Sequence, residues 1–326
     1  MLSIVAAAAV IMTGLPAPVS AAPDSDPEGG TPSLRQALEN ASKGYSDAKN
    51  KLANSIKRQA ELGRQQKITE ARVAVLNADV QMLAAAAYKG GKANMLSAAL
   101  DSGSIPTFLN KSEIIGQLSW QNSQKLSALT AAREDLARQK KTIASEIKVQ
   151  QAQEKAMAKR KSDAERALAA VGGGASGGFS GNSTAAKPAP RNADGSWPSE
   201  SCSVDDPTSG GCITPRMYHA YKEARLAGFS RYTHCFRNAS SGEHGKGRAC
   251  DFSASVGGFE NAAATGGDKA YGNNLAAWCI NNADRLGVLY VIWYRQIWMP
   301  STGWRAYDGG GSPSSAHTNH VHLSIQ

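Results

Sequence analysis

Val288-Leu289-Tyr290-Val291-Ile292-Trp293-Tyr294 is a run of seven residues with no charge and no turn former, dominated by β-branched and aromatic side chains. Such a run reads as a buried strand. Gln296-Ile297-Trp298 follows it closely, and a helix over about residues 271–286 precedes it, stopping before Gly287. Further upstream, Thr214-Pro215 supplies a cap and a first-turn proline for a helix near 215–227. Strands are expected near 229–236 and 248–253, and Val321 to Ile325 forms the terminal strand. Helices mixed with antiparallel strands predict an α+β domain over residues 200–326.

That domain differs in kind from what precedes it. All six His, all five Cys and five of the six Trp of the 326-residue chain lie beyond residue 196. Residues 200–326 are close to neutral, with 11 basic and 10 acidic side chains, so the formal charge of +9 sits on the earlier residues. The basic excess therefore carries no information about the chemistry of the later ones and gives no ground for a nucleic-acid partner. At 41% hydrophobic residues the chain is not wholly disordered.

Residues 31–170 are rich in Ala, Gln, Lys, Glu and Leu and contain no Cys or His. Val73, Leu76, Val80, Leu83 and Ala87 follow the three-four spacing of a coiled-coil seam; Leu38, Tyr45 and Leu52 stand seven apart, as do Leu129, Leu136 and Ile143. The pattern is expected to break at Lys89-Gly90-Gly91-Lys92 and to resume after Asp101-Ser102-Gly103-Ser104, with Pro106 in a first helical turn. This predicts a long antiparallel α-helical coiled-coil hairpin with arms of about 55 and 65 residues, roughly 80–100 Å at 1.5 Å per residue. With no His or Cys and only scattered carboxylates it holds no catalytic constellation. It reads as a spacer, a docking arm or an inhibitory lid.

Two segments flank the hairpin. Residues 1–22 read as a secretion signal, apolar from Leu2 to Pro18 and followed by small residues at Val19-Ser20-Ala21-Ala22, though without a basic n-region. They are too weakly apolar for a membrane span, so contact with a membrane is peripheral at most. Residues 171–199, with Gly172-Gly173-Gly174 and Gly177-Gly178, read as a flexible linker. Export would place the cysteines in an oxidising compartment. Cys202 and Cys212 frame a short loop and Cys235 and Cys250 flank a Gly/Ser loop, so these are the expected pairs, with Cys279 left over.

The chemistry-bearing residues form two clusters, His244-Gly-Lys-Gly-Arg-Ala-Cys-Asp251 and His317-Thr-Asn-His320-Val-His322. Imidazole and carboxylate are natural zinc ligands, and a catalytic site takes three from the protein and keeps one position open. His244 and Asp251 can face one metal if Gly245 and Gly247 form a tight turn into a strand. If His320-Val321-His322 is extended, both imidazoles enter one cleft while Val321 packs inward. Trp298 and Trp304 invite a sugar-stacking role, although large aromatics in small domains usually belong to the core.

His244-x-x-Gly247-x-Ala249-x-Asp251 followed by His320-x-His322 resembles the metal signature of the LAS zinc peptidases, which include D-alanyl-D-alanine carboxypeptidases and murein endopeptidases. The resemblance implies a LAS/hedgehog-like zinc peptidase domain with His244, Asp251 and His322 as ligands of Zn2+. The His317, His320, His322 spacing is closer to the endopeptidase branch. The carboxypeptidase branch places a catalytic Glu where this chain has Asn319, so proton transfer would fall to His320, helped by His317. Arg237 is aligned with an arginine that contacts substrate or the oxyanion in that branch. Residues 212–215, 247–252 and 282–287 are similar to carboxy-terminal domains of secreted actinobacterial proteins. The hairpin, at Ala87-Tyr88-Lys-Gly90 and Leu100-Asp-Ser-Gly103, resembles the coiled coils of NlpC/P60-type hydrolases.

The implied activity is metal-assisted hydrolysis of an amide bond in the stem peptide or cross-bridge of peptidoglycan, by a protein secreted to the cell wall. His320 would handle the proton, with His317 or Arg237 at the oxyanion and Glu243 as an alternative base. The hairpin would meet a docking partner in the cell envelope. The alternative is a non-catalytic wall-binding or regulatory module that keeps the metal-site fold without turnover. A glycan-cleaving site would need paired carboxylates, and Glu243 with Asp251 is a poor pair because Asp251 is better explained as a ligand.

Overall fold

The computed structural model describes residues 28–101, 103–181, 184–239 and 242–326, without the side chains of 90–100. The expected secretion signal lies outside these residues. Two long helices come first, α1 (Pro32–Leu100) and α2 (Ile105–Ala169). A two-stranded hairpin, β1 (Val204–Asp205) and β2 (Cys212–Ile213), leads into α3 (Pro215–Leu226). Then come β3 (Thr233–His234), β4 (Ala249–Ser253), α4 (Gly266–Asn281) and α5 (Ala283–Leu286). The remaining elements are β5 (Val288–Trp293), β6 (Gln296–Met299), β7 (Gly303–Ala306) and β8 (His320–Ile325). A long helical region is thus followed by an α+β domain.

The larger sheet is antiparallel throughout, in the order β3-β4-β8-β5-β6-β7. Thr214 caps α3 by accepting the Met217 amide at 3.2 Å, and Gly287, at φ +75°, ends α5. The single helix expected over 271–286 is two, split at Asn282. The strand expected at 229–236 shrinks to two residues, and β7 is an element that no local pattern foretold.

All six residues of β5 are buried because the sheet is covered on both faces. Val291 and Trp293 pack with Phe252, Val321, Leu275 and Trp278 on the side of α3 and α4. Leu289 and Ile292 belong to a second cluster with Leu34, Leu38 and Ala41 of α1 and Ala164 and Leu168 of α2. The Ser42 hydroxyl donates to the Leu289 carbonyl at 2.5 Å. Accordingly, among the described residues, 28–47 and Met157–Gln326 form one compact unit, and Ala48–Ala156 form another.

The division therefore falls within the two helices rather than at residues 171–199, which do not run free. The Ala186 amide donates to Asn282 Oδ1 at 2.8 Å, Phe179 meets the edge of Trp304 with centroids 5.2 Å apart, and Ala175 bridges Arg305. Trp293 is core, and Trp304 packs on Phe179 rather than presenting a free face.

In the second unit the helices pair antiparallel: Ser55 meets Glu146, Thr69 meets Gln139 and Asn77 meets Arg133. Val73, Leu76, Val80 and Leu83 are half-buried, whereas Ala87 is exposed. Helix α1 continues through Lys89–Lys92 to Leu100, so the expected break is absent. Two helical glycines cost about 2 kcal/mol, too little to interrupt a helix flanked by Ala, Met and Leu. The helices end and restart around 101–104, and Pro106 does fall in the first turn of α2. No helix among the described residues is long and apolar enough to cross a membrane.

Candidate metal centre

Strand alternation assembles the site. Along β8, Val321, Leu323 and Ile325 enter the core on the α3 and α4 side, so His320, His322 and Ser324 point to the opposite face. Register places Asp251 of β4 beside His322, and His234 of β3 beside Asp251. His244 arrives from the turn before β4. Gly247 there has φ +68°, and a Cβ on it would lie 2.6 Å from Cys202 Sγ, so the turn requires glycine on both counts.

Each donor is oriented by a second partner. His244 Nδ1–H donates to the Cys235 carbonyl, leaving Nε2 as a lone pair. His322 Nε2 lies 2.7 Å from the Ser324 hydroxyl, and with its proton given to that oxygen Nδ1 becomes the free nitrogen. Asp251 uses Oδ2 for Arg237 and turns Oδ1 toward the imidazoles. The three facing atoms, His244 Nε2, His322 Nδ1 and Asp251 Oδ1, lie 2.9–3.3 Å from one another. A tetrahedral ion with bonds of about 2.0–2.1 Å holds its ligands about 3.3 Å apart. Three lone pairs this close repel unless a cation or proton lies among them, so this donor set fits a divalent metal.

A further carboxylate, absent from both sequence clusters, joins them. Glu28 is buried and belongs with His244 and His322 to a group whose ligand atoms all lie within 4.8 Å of one another, a group able to hold a metal ion. Its Oε1 accepts the backbone amides of Glu243 and His244, and its Oε2 accepts the Tyr290 hydroxyl at 3.0 Å. A lone Glu far upstream carries no motif, so no local signal could have found it.

The other residues singled out from sequence also converge here. His320 Nε2 is 3.4 Å from Asp251 Oδ1 without a hydrogen-bond partner among the described residues. Its Nδ1–H donates to Asn319 Oδ1 at 2.7 Å, and Asn319 Nδ2 donates to the Glu260 carbonyl, which fixes the amide's orientation. The His317 ring centroid lies 4.8 Å from that of His320, its Nδ1–H faces the Ser315 carbonyl at 3.2 Å, and its Nε2 is unpartnered among the described residues. His317 sits at φ +50°, a conformation costing about 1–3 kcal/mol in a non-glycine residue. Arg237, expected to contact substrate or the oxyanion, has Asp251 as its partner, with Nε and Nη1 left over. Glu243, the alternative base, pairs its carboxylate with Lys246 (3.0 Å) and Arg248 (2.6 Å).

Electrostatics separate these groups. Burial alone would raise the Asp251 pKa, but His244, His320 and Arg237 hold it well below the usual carboxylate range. Burial pushes His320 down to about 4, against the pull of Asp251. Burial, reinforced by His320 and His322, holds His317 well below the ordinary imidazole value. Both rings are neutral at pH 7, with a bare Nε2 each. Two disulfides brace the region, Cys202–Cys212 and Cys235–Cys250, and Cys279 is a buried free thiol, the pairing expected from the loops they frame.

A family model described as VldE, C-terminal domain, matches residues 209–318. The matched span contains Arg237, His244, Asp251 and His317 and stops before His320. No curated protein and no solved structure matches the chain.

Proposed function

We propose that the chain is a zinc-dependent peptidase that hydrolyses an amide bond of peptidoglycan, the stem peptide or its cross-bridge, outside the cell. The observation that carries this reading is the convergence of His244 Nε2, His322 Nδ1 and Asp251 Oδ1 to within 2.9–3.3 Å of one another, beside the His320 Nε2, which has no hydrogen-bond partner among the described residues. Imidazole and carboxylate ligands favour zinc over harder or softer ions. The fold reading that goes with it is a LAS-like peptidase domain. Disulfides persist in oxidising compartments, which supports export.

Zinc held by His244, Asp251 and His322 would supply an acidified water and a polarised carbonyl. His320 Nε2, kept bare by the bond from Nδ1–H to Asn319, accepts a proton and returns it to the leaving amine. The same tautomer logic gives His317 a bare Nε2, so it relays or accepts protons and does not donate to an oxyanion. The unpartnered N–H groups of Arg237 take the oxyanion role. Asn319 thereby stands where a general-base Glu would be expected and acts through its neighbour. The helical hairpin, which carries no such chemistry, serves docking in the cell envelope.

The test is zinc content and release of free amino groups from purified peptidoglycan. It is measured on the full chain, on His322→Ala and on Glu28→Gln, which neutralises the carboxylate beside the two imidazoles. About one zinc per chain, with amine release by the full chain or Glu28→Gln and neither in His322→Ala, supports the peptidase. Zinc without amine release from the full chain or Glu28→Gln leaves a non-catalytic wall module, and no zinc sinks the site assignment.

A further inference from the structure

The candidate centre is sealed. His317, His320, His322 and Asp251 are wholly buried, and His244 and Glu28 nearly so. A peptide cannot reach such a site, so part of the chain occupies the way in. Resting on the metal-site reading above, we propose that Glu28 is a fourth protein ligand, and that residues 28–30 form a strap that holds the site in a latent, closed state until it is withdrawn.

Three observations converge on Glu28. Its carboxylate belongs with His244 and His322 to one group of ligand atoms within 4.8 Å of one another, close enough to take the position that a catalytic site leaves open. It is held by a prepared cradle: the amides of Glu243 and His244 on one oxygen and the Tyr290 hydroxyl on the other. The fit is close, since a Cβ on Gly242 would run into the Glu28 carboxylate.

The strap is fastened separately from its ligand. The Tyr307 hydroxyl lies 2.9 Å from the Glu28 carbonyl and 2.8 Å from the Gly29 carbonyl, and Arg35 Nη1 donates to the Gly29 and Gly30 carbonyls at 2.8 and 3.1 Å. Gly29 and Gly30 take φ +63° and +64°, and a Cβ on Gly30 would meet the Tyr307 hydroxyl at 2.7 Å. Such a short segment, Glu-Gly-Gly with no apolar side chain in the core, can leave without unfolding the sheet beneath it. Glu28 also lies beyond the expected cleavage point near Ala22, so it would remain in the exported chain.

The experiment loads the full-length protein, Glu28→Ala, Glu28→Gln and His322→Ala with cobalt(II) and records visible spectra before and after acetohydroxamate, a small metal-binding anion. In parallel, zinc-loaded samples are mixed with a chromogenic chelator and the release rate is followed. Glu28→Gln keeps the oxygen that accepts the two amides, and near-ultraviolet circular dichroism checks the fold of each variant. The expected result is a wild-type spectrum indifferent to hydroxamate, saturable shifts in both Glu28 variants, and zinc release at least about tenfold faster from them. Equal hydroxamate response and equal release in wild type and the Glu28 variants, with metal still lost in His322→Ala, would overturn the Glu28 ligand while leaving the metal site standing. No stoichiometric metal in wild type or in either Glu28 variant would overturn both.

Discussion

The Cys235 carbonyl accepts the Nδ1–H of His244, and the same cysteine is bonded to Cys250, the residue before Asp251. One covalent bridge thus fixes both the partner that sets the His244 tautomer and the strand position of a candidate ligand. Its loop spans 15 residues, a closure whose loss is worth about 3 kcal/mol in chain entropy. The double substitution Cys235→Ala/Cys250→Ala is expected to lower stability by about that amount in denaturant titration. It is also expected to weaken zinc binding in a chelator competition. Unchanged metal affinity in a folded variant would show that the bridge serves stability alone.

Ser324 should matter to the metal more than to the fold. Its hydroxyl lies 2.7 Å from His322 Nε2 and, by accepting that nitrogen's proton, would free Nδ1 for a metal; removing such an outer partner typically costs about 10–100-fold in metal affinity. Ser324→Ala is expected to lose affinity in that range with a melting temperature within a few degrees of wild type. Ser324→Thr, which keeps the hydroxyl, should restore most of it.

Asn319 is a positioning residue, and its effect should appear in turnover. It fixes which nitrogen of His320 carries the proton. Introduced into Glu28→Gln, which releases the strap's carboxylate, Asn319→Leu is expected to reduce kcat on peptidoglycan by about a hundredfold relative to Glu28→Gln alone, with zinc content and KM little changed. Loss of zinc, or a rise in KM alone, would assign Asn319 to structure or binding instead.

Much of this arrangement was legible in the sequence, and the missing parts share one cause. The His-x-His alternation in β8 and the run at 288–293 speak through local periodicity, which is why β5, β8 and the ligand faces could be read. The second covering of the sheet could not. A strand buried along its whole length needs apolar partners on both faces, but nothing local says that Leu34, Leu38 and Leu168 supply one set. Glu28 is missed for the same reason, since its meaning lies in partners more than two hundred residues away. The glycines at 172–178 mislead in the opposite sense. Composition suggests freedom there, while Phe179 and Ala186 anchor the segment to the sheet domain.

Asp206 should make part of the stability pH-dependent. Burial alone would raise its pKa, but bonds from the Ser209 hydroxyl, the Phe236 amide and the Thr208 hydroxyl and amide hold it below the ordinary 3.8. A carboxylate with a depressed folded pKa contributes stability that is present above 3.8 and lost as pH falls through the folded value. Asp206→Asn is expected to cost about 2 kcal/mol at pH 7, measured by urea unfolding. The gap to wild type should narrow steadily below pH 3.8, and a gap independent of pH would exclude the carboxylate as its source.

The base of the hairpin should be indispensable to the sheet domain. Leu38 is almost fully buried among Leu289, Ile292, Ile297 and Met299, and Ser42 donates to the Leu289 carbonyl. Truncating such a leucine typically costs about 2–5 kcal/mol, so Leu38→Ala is expected to lower the stability of the unit containing the candidate metal centre by about 3 kcal/mol. A fragment beginning at residue 200 would lose Leu34, Leu38, Ala164 and Leu168 together and expose one apolar face of the sheet. It should bind a hydrophobic dye and aggregate on concentration, whereas a chain keeping residues 28–47 and 157–326, joined by a short loop in place of 48–156, should stay soluble with native near-ultraviolet circular dichroism. A soluble, cooperatively folding 200–326 fragment would show that the second face tolerates water and that the helices only rest upon it.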